Sequence, residues 1–184
     1  MRRAPWILVI FRLLAAPGLI ALALSGLSSG VAAALLLSLA VLSDIFDGVI
    51  ARRMKVVTPA LRTWDSRADV VFWLGATAAL LLMHPALLPS LSTPALALAG
   101  LEVVNHALSF ARFRREASPH HWLSKIFCLG LWLLFTQLFV AGQAGALLWI
   151  VFGLGVASQL EALAITLRLK AWRSDVPTVF ALKS

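Results

Sequence analysis

Long apolar runs separated by short polar breaks dominate the chain. Six such runs can be marked, at about 11–27, 31–51, 59–83, 95–111, 123–140 and 144–169. Each has roughly the 17–25 residues that a helix needs to cross a bilayer. The runs lack the inside–outside alternation of a membrane strand. In lipid the backbone must also satisfy its own hydrogen bonds, which leaves a helical bundle. The pattern therefore predicts an all-α, polytopic membrane protein with six transmembrane helices in one domain over residues 1–184.

The breaks carry their own signals. Ser25, Gly26, Ser28, Ser29 and Gly30 close the first run, and Ala141, Gly142 and Gln143 join the last two. Thr58 before Pro59 reads as an N-cap followed by proline at the first helical position. His84, Pro85, Pro89 and Pro94 mark a turn region between the third and fourth runs. Residues 4–11 read as a short interfacial helix, with Pro5 in its first turn and Trp6 at headgroup level. Arg12 interrupts the apolar stretch that a cleaved signal peptide would require.

Composition sharpens this picture. Of the 184 residues, 61% are hydrophobic and 13% charged, too few to coat a soluble domain. One cysteine, Cys128, excludes an internal disulfide framework and a thiolate metal site. The net charge of +8 could suggest a nucleic-acid partner, but the positions of the cations argue against one. Arg2, Arg3 and Arg12 stand before or at the opening of the first run. Arg52, Arg53, Lys55, Arg62 and Arg67 lie around the second break, and Arg112, Arg114, Arg115 and Lys125 around the fourth. Arg168, Lys170, Arg173 and Lys183 follow the last run, while the alternate breaks hold no Lys or Arg. Six spans put all of these on one side, and the positive-inside rule makes that side cytoplasmic, with both termini.

Against this background the acidic residues stand out. Asp44, Asp47, Asp65 and Asp69 are half of the 8 acidic residues and crowd into one helical hairpin. A charge inside a span costs roughly 2.5–3.5 kcal/mol even on a lenient insertion scale. Asp44 and Asp47 are spaced i, i+3, and Asp65 and Asp69 i, i+4, so each pair shares a helix face. On a rise of about 1.5 Å per residue, an antiparallel arrangement brings the two pairs to matching depth. Such an oxygen-rich set suits hard cations, and two of them could clamp a phosphate-containing substrate. The plainer alternative pairs these carboxylates with Arg52, Arg53, Arg62 and Arg67 at the membrane boundary. Gly48 and Ala51, beside Asp47, serve either close helix packing or room for a flat ligand.

The run from Asp44 through Asp47, Gly48, Ala51 and Arg52 to Asp65 and Asp69 resembles the signature of the CDP-alcohol phosphotransferase family, D-x2-D-G-x2-A-R-x8-G-x3-D-x3-D. All fixed positions match without a gap except one, where Leu61 replaces the second glycine. Arg12 and Pro17 in the first span extend the resemblance. It implies a phosphatidyltransferase of phospholipid biosynthesis, in a plasma membrane such as the bacterial inner membrane. A CDP-linked lipid donor, commonly CDP-diacylglycerol, would give its phosphatidyl group to a small alcohol and release CMP. It further implies two divalent cations, Mg²⁺ or Mn²⁺, on Asp44, Asp47, Asp65 and Asp69, with Asp69 as the base. Gly48, Ala51 and Arg52 would line the cytidine-diphosphate pocket, at the cytoplasmic side of a possible homodimer. Leu61 would crowd the nucleotide, shift the start of the third span, or be absorbed locally.

The acceptor side is marked by Arg112, Arg114, Arg115, His120, His121 and Lys125. Arg112, Arg115 and Lys125 are the candidates for holding a phosphorylated alcohol, against ordinary positive-inside flanking. Glu102, Asn105 and His106 suggest one polar, bundle-facing stripe. Two other classes stay open: a small cation transporter, and a non-catalytic lipid-binding scaffold for which Leu61 is the best argument.

Overall fold

The computed structural model describes residues 4–26, 29–53, 58–115, 117, 121–173 and 176–182, omitting the side chains of 4, 5, 47–53, 59, 60, 62, 63 and 66. Among the described residues there are six long helices and no strand. They are α1 (Ala4–Leu24), α2 (Gly30–Arg53), α3 (Pro59–Met83), α4 (Leu88–Phe113), α5 (Trp122–Ala141) and α6 (Ala146–Arg168). Short 3₁₀ turns occupy Pro85–Leu87 and Val179–Ala181. Four segments are long and apolar enough to cross a membrane: Trp6–Leu24, Pro85–Phe113, Trp122–Ala141 and Ala146–Arg168. Gly30–Phe46 is a shorter apolar helix. The six expected runs fall on six helices, and four of the segments meet the length and composition needed to span a membrane.

Two boundaries differ from the sequence expectation. No break separates an interfacial helix over 4–11 from the first span, because α1 runs unbroken through Arg12. Arg12 does not interrupt the helix because its side chain is sealed within the protein, 1% exposed. Pro89 and Pro94 do not mark a turn either; they lie within the first two turns of α4. A proline there removes few intrahelical bonds. The Thr58 cap is as expected: its Oγ1 accepts from the Leu61 amide at 3.1 Å, and α3 starts at Pro59.

Residue packing divides the chain into two compact units, Met1–Leu87 with Phe135–Gln143, and Leu88–Leu134 with Ala144–Ser184. In the first, α1 packs against both α2 and α3. Its buried face is Val9, Arg12, Ala16 and Leu19, at steps of three and four. α2 buries Ala33, Leu37, Ala40 and Val41, and α3 buries Leu61, Ala68, Phe72, Ala76 and Ala79 on the same period. Leu14 and Leu74 point outward, 64% and 66% exposed. A uniformly apolar helix cannot choose its inner face by hydrophobicity, so small side chains choose it.

The second unit pairs α4 with α6. Asn105 and Ser109 on α4, and Ser158, Ala162 and Thr166 on α6, are buried. Thr166 donates to the Asn105 side-chain oxygen at 3.1 Å. The segment after α6 folds back within this unit, where the Trp122 amide donates to the Pro177 carbonyl at 3.0 Å. Thr178 Oγ1 donates to Glu161 at 2.8 Å.

α1 and α3 approach each other closely at Gly75. A Cβ there would sit 2.6 Å from the Ala16 Cβ and 3.0 Å from its Cα. Gly75→Ala should therefore force α1 from α3 and cost about 1–3 kcal/mol, read as a lower unfolding temperature in detergent. Ala16→Gly in the same chain should recover part of the loss. An unchanged unfolding temperature in the single variant would show that the helices do not meet there.

Candidate functional site

The site grows from a mismatch of charge and environment. A guanidinium in the inner stripe of α1 is far more costly than an alanine unless opposite charge surrounds it. Arg12 falls three residues after Val9 and four before Ala16, so its side chain enters the space shared by α2 and α3. There its Nη1 lies 2.9 Å from Asp44 Oδ1 and 3.0 Å from Asp65 Oδ1, and also contacts Asp69 Oδ1. Asp44 comes from the second half of α2, one turn beyond Val41 and two beyond Leu37. Asp65 and Asp69 come from the first half of α3, flanking Ala68.

Three carboxylates thus converge on one nitrogen. That nitrogen carries two hydrogens, so three oxygens share two donors. The aspartate side chains are 33%, 35% and 39% exposed, whereas Arg12 is sealed. The cluster is closed on the α1 side and open on its carboxylate side, where a ligand can approach.

The outcome for the sequence candidates is uneven. Asp44, Asp65 and Asp69 are brought together. Asp47, Gly48, Ala51 and Arg52 lie on the α2 backbone, but their side chains are outside the described residues, as are those of Arg53 and Arg62. Among the described side chains the cation that meets the aspartates is Arg12. Arg67, one of the boundary arginines considered as partners, instead lies over the Trp64 ring at 5.6 Å. Also among the described residues, no three His, Cys, Asp or Glu form a cage ready for a metal ion. The carboxylates close on a guanidinium instead.

Arg12 was missed as a site residue because it reads as positive-inside flanking. The available signal was its register: it repeats the spacing of the small and apolar residues around it, which puts it on an inner face.

Leu61, the departure from the signature, is buried with Val9 and Ala68, and Trp6 and Leu13 pack against that group. Its side chain fills the α1–α3 contact, and the start of α3 is not displaced.

On the acceptor side, Arg112 donates to the Leu167 carbonyl at 2.6 Å and to that of Leu169 at 3.1 Å. It closes the C-terminus of α6, where a cation is favoured. Arg115 lies over the Trp172 ring at 4.9 Å and Lys125 over Trp122 at 4.4 Å. His120 is outside the described residues. His121 is buried and its Nε2 is 3.1 Å from Ser158 Oγ. The expected stripe on α4 faces inward only at Asn105. Glu102 and His106 are half-exposed and pair with each other at 3.1 Å, and Gln159 donates to Glu102.

A family profile described as CDP-alcohol phosphatidyltransferase matches residues 2–157. No curated protein and no solved structure matches the chain.

The packing of Leu61 gives a direct check. Leu61→Ala should cost about 2 kcal/mol, because the group around Val9 would keep a cavity. Thermal unfolding in detergent should show the loss. Full retention of stability would mean that the side chain is not committed to α1.

Proposed function

The chain belongs to the CDP-alcohol phosphatidyltransferase family, and on that premise we propose that it moves a phosphatidyl group from CDP-diacylglycerol to an alcohol hydroxyl and releases CMP. The observation that carries this reading is the convergence of Asp44, Asp65 and Asp69, each about a third exposed, on one buried guanidinium. The oxygen donors suit Mg²⁺ or Mn²⁺ in character. In this reading Asp44, Asp47, Asp65 and Asp69 hold two such ions, which supply charge stabilisation at the donor's pyrophosphate.

The remaining roles belong to side chains and backbone. Asp69, at the open edge of the cluster, takes the proton of the acceptor hydroxyl. The acceptor oxygen bonds to the lipid-side phosphorus as the bond to CMP breaks. Gly48, Ala51 and Arg52 receive the cytidine diphosphate on the last turns of α2. Arg112, Arg115 and Lys125 attract an acceptor that carries negative charge. With six spans, the distribution of Lys and Arg puts both termini and the aspartates on the cytoplasmic side. A soluble nucleotide and a lipid tail can both reach that boundary.

Leu61 is the argument for a non-catalytic member, and its burial against Val9 weakens that argument. The side chain serves the α1–α3 contact and leaves all four aspartates in place in the sequence.

The test uses purified protein in detergent with CDP-diacylglycerol, Mg²⁺ or Mn²⁺, and a panel of alcohols. CMP should appear with one acceptor class and vanish on chelation by EDTA. Asp69→Asn should lower the rate by about 10²-fold or more, the scale of a lost general base. CMP release from no acceptor, or full activity in Asp69→Asn, would defeat the enzymatic reading.

A further inference from the structure

The contacts of Arg12 have a consequence for how the aspartates take up an ion. Its Nη1 engages Oδ1 of Asp44, Asp65 and Asp69 together. A carboxylate oxygen bound closely to a divalent cation cannot keep a second cation in the same direction at hydrogen-bond distance, because the two like charges repel. Loading the cluster therefore requires Arg12 to yield these oxygens. Arg12 is also attached to α1 at the buried Val9–Ala16 stretch, so it cannot leave the bundle; it can only turn within it.

We infer that Arg12 is an exchangeable internal counter-cation: it holds Asp44, Asp65 and Asp69 together and is displaced from them when a divalent cation binds. This rests on the metal-dependent reading above and adds a residue that sets the affinity of the aspartates for the ion. Arg12 is a positioning residue here and contacts no reacting atom. Its two functions pull in opposite directions. It neutralises carboxylates that would otherwise repel one another between packed helices, and it competes with the ion for their oxygens.

Binding of Mn²⁺ separates this from a purely structural role. The free ion is counted by electron paramagnetic resonance with the full-length protein in detergent, without substrate. Arg12→Gln removes the competing charge and should bind Mn²⁺ more tightly by about tenfold or more, the least that a unit charge a few ångströms away contributes at protein-like screening. Arg12→Lys keeps the charge and should stay near the wild-type affinity. A residue that merely organised the carboxylates would show the reverse, with weaker binding in Arg12→Gln. Equal or weaker binding by a folded Arg12→Gln, judged by its tryptophan fluorescence on heating, overturns the exchange and leaves the metal reading intact. No Mn²⁺ binding by wild type or variant overturns both.

Should Arg12→Gln fail to fold, the wild-type protein supplies the measurement. Modification of Arg12 by phenylglyoxal, mapped by mass spectrometry, should increase when Mn²⁺ is added. Unchanged or reduced modification overturns the displacement.

Discussion

A guanidinium buried among three carboxylates holds the first unit in its arrangement. Neither partner is tolerable alone in an apolar bundle: Arg12 is sealed from solvent, and three aspartates repel one another at close range. Together they are mutually compensating. The helices that carry them are fixed by that requirement. α1 must present Arg12 to α2 and α3 at once, which accounts for its central place in the unit. The alanines of α2 and α3 and the Ala16–Gly75 contact then allow the backbones to come near enough for the charges to meet.

The same contacts connect structure to chemistry. An ion pair meant only to hold helices together would match one cation with one anion. Here the described aspartates outnumber the guanidinium, and their open edges lie about a third exposed. Clustered carboxylate oxygens with an open side are what a phosphate-handling site with divalent ions needs. Burial on the α1 side keeps the arrangement rigid where no ligand has to enter.

Much of this was legible in the sequence. The apolar runs gave the helices, and Thr58 with Pro59 located the start of α3. The spacing of the aspartates indicated which faces they share. What remained hidden depended on tertiary context. Arg12 has the local appearance of a boundary cation, and only its counter-charges, far along the chain, explain its place in the inner stripe. Leu61 broke the signature, yet a sequence pattern cannot say that the added volume is taken up by Val9 and Ala68. Arg112 reads from the sequence as a candidate for the acceptor phosphate, and its hydrogen bonds to the end of α6 depend on packing that no local pattern encodes.

The separation in sequence between Arg12 and its partners bears on biogenesis. Asp65 and Asp69 follow Arg12 by 53 and 57 residues. During synthesis α1 therefore emerges with its cation long before α3 can answer it. A lone α1 would hold its guanidinium near the interface, where long basic side chains remain hydrated. Its counter-charges arrive with α2 and α3. The three helices are thus expected to settle as one cooperative insertion unit, with electrostatic pairing as the last step that commits them to the bilayer.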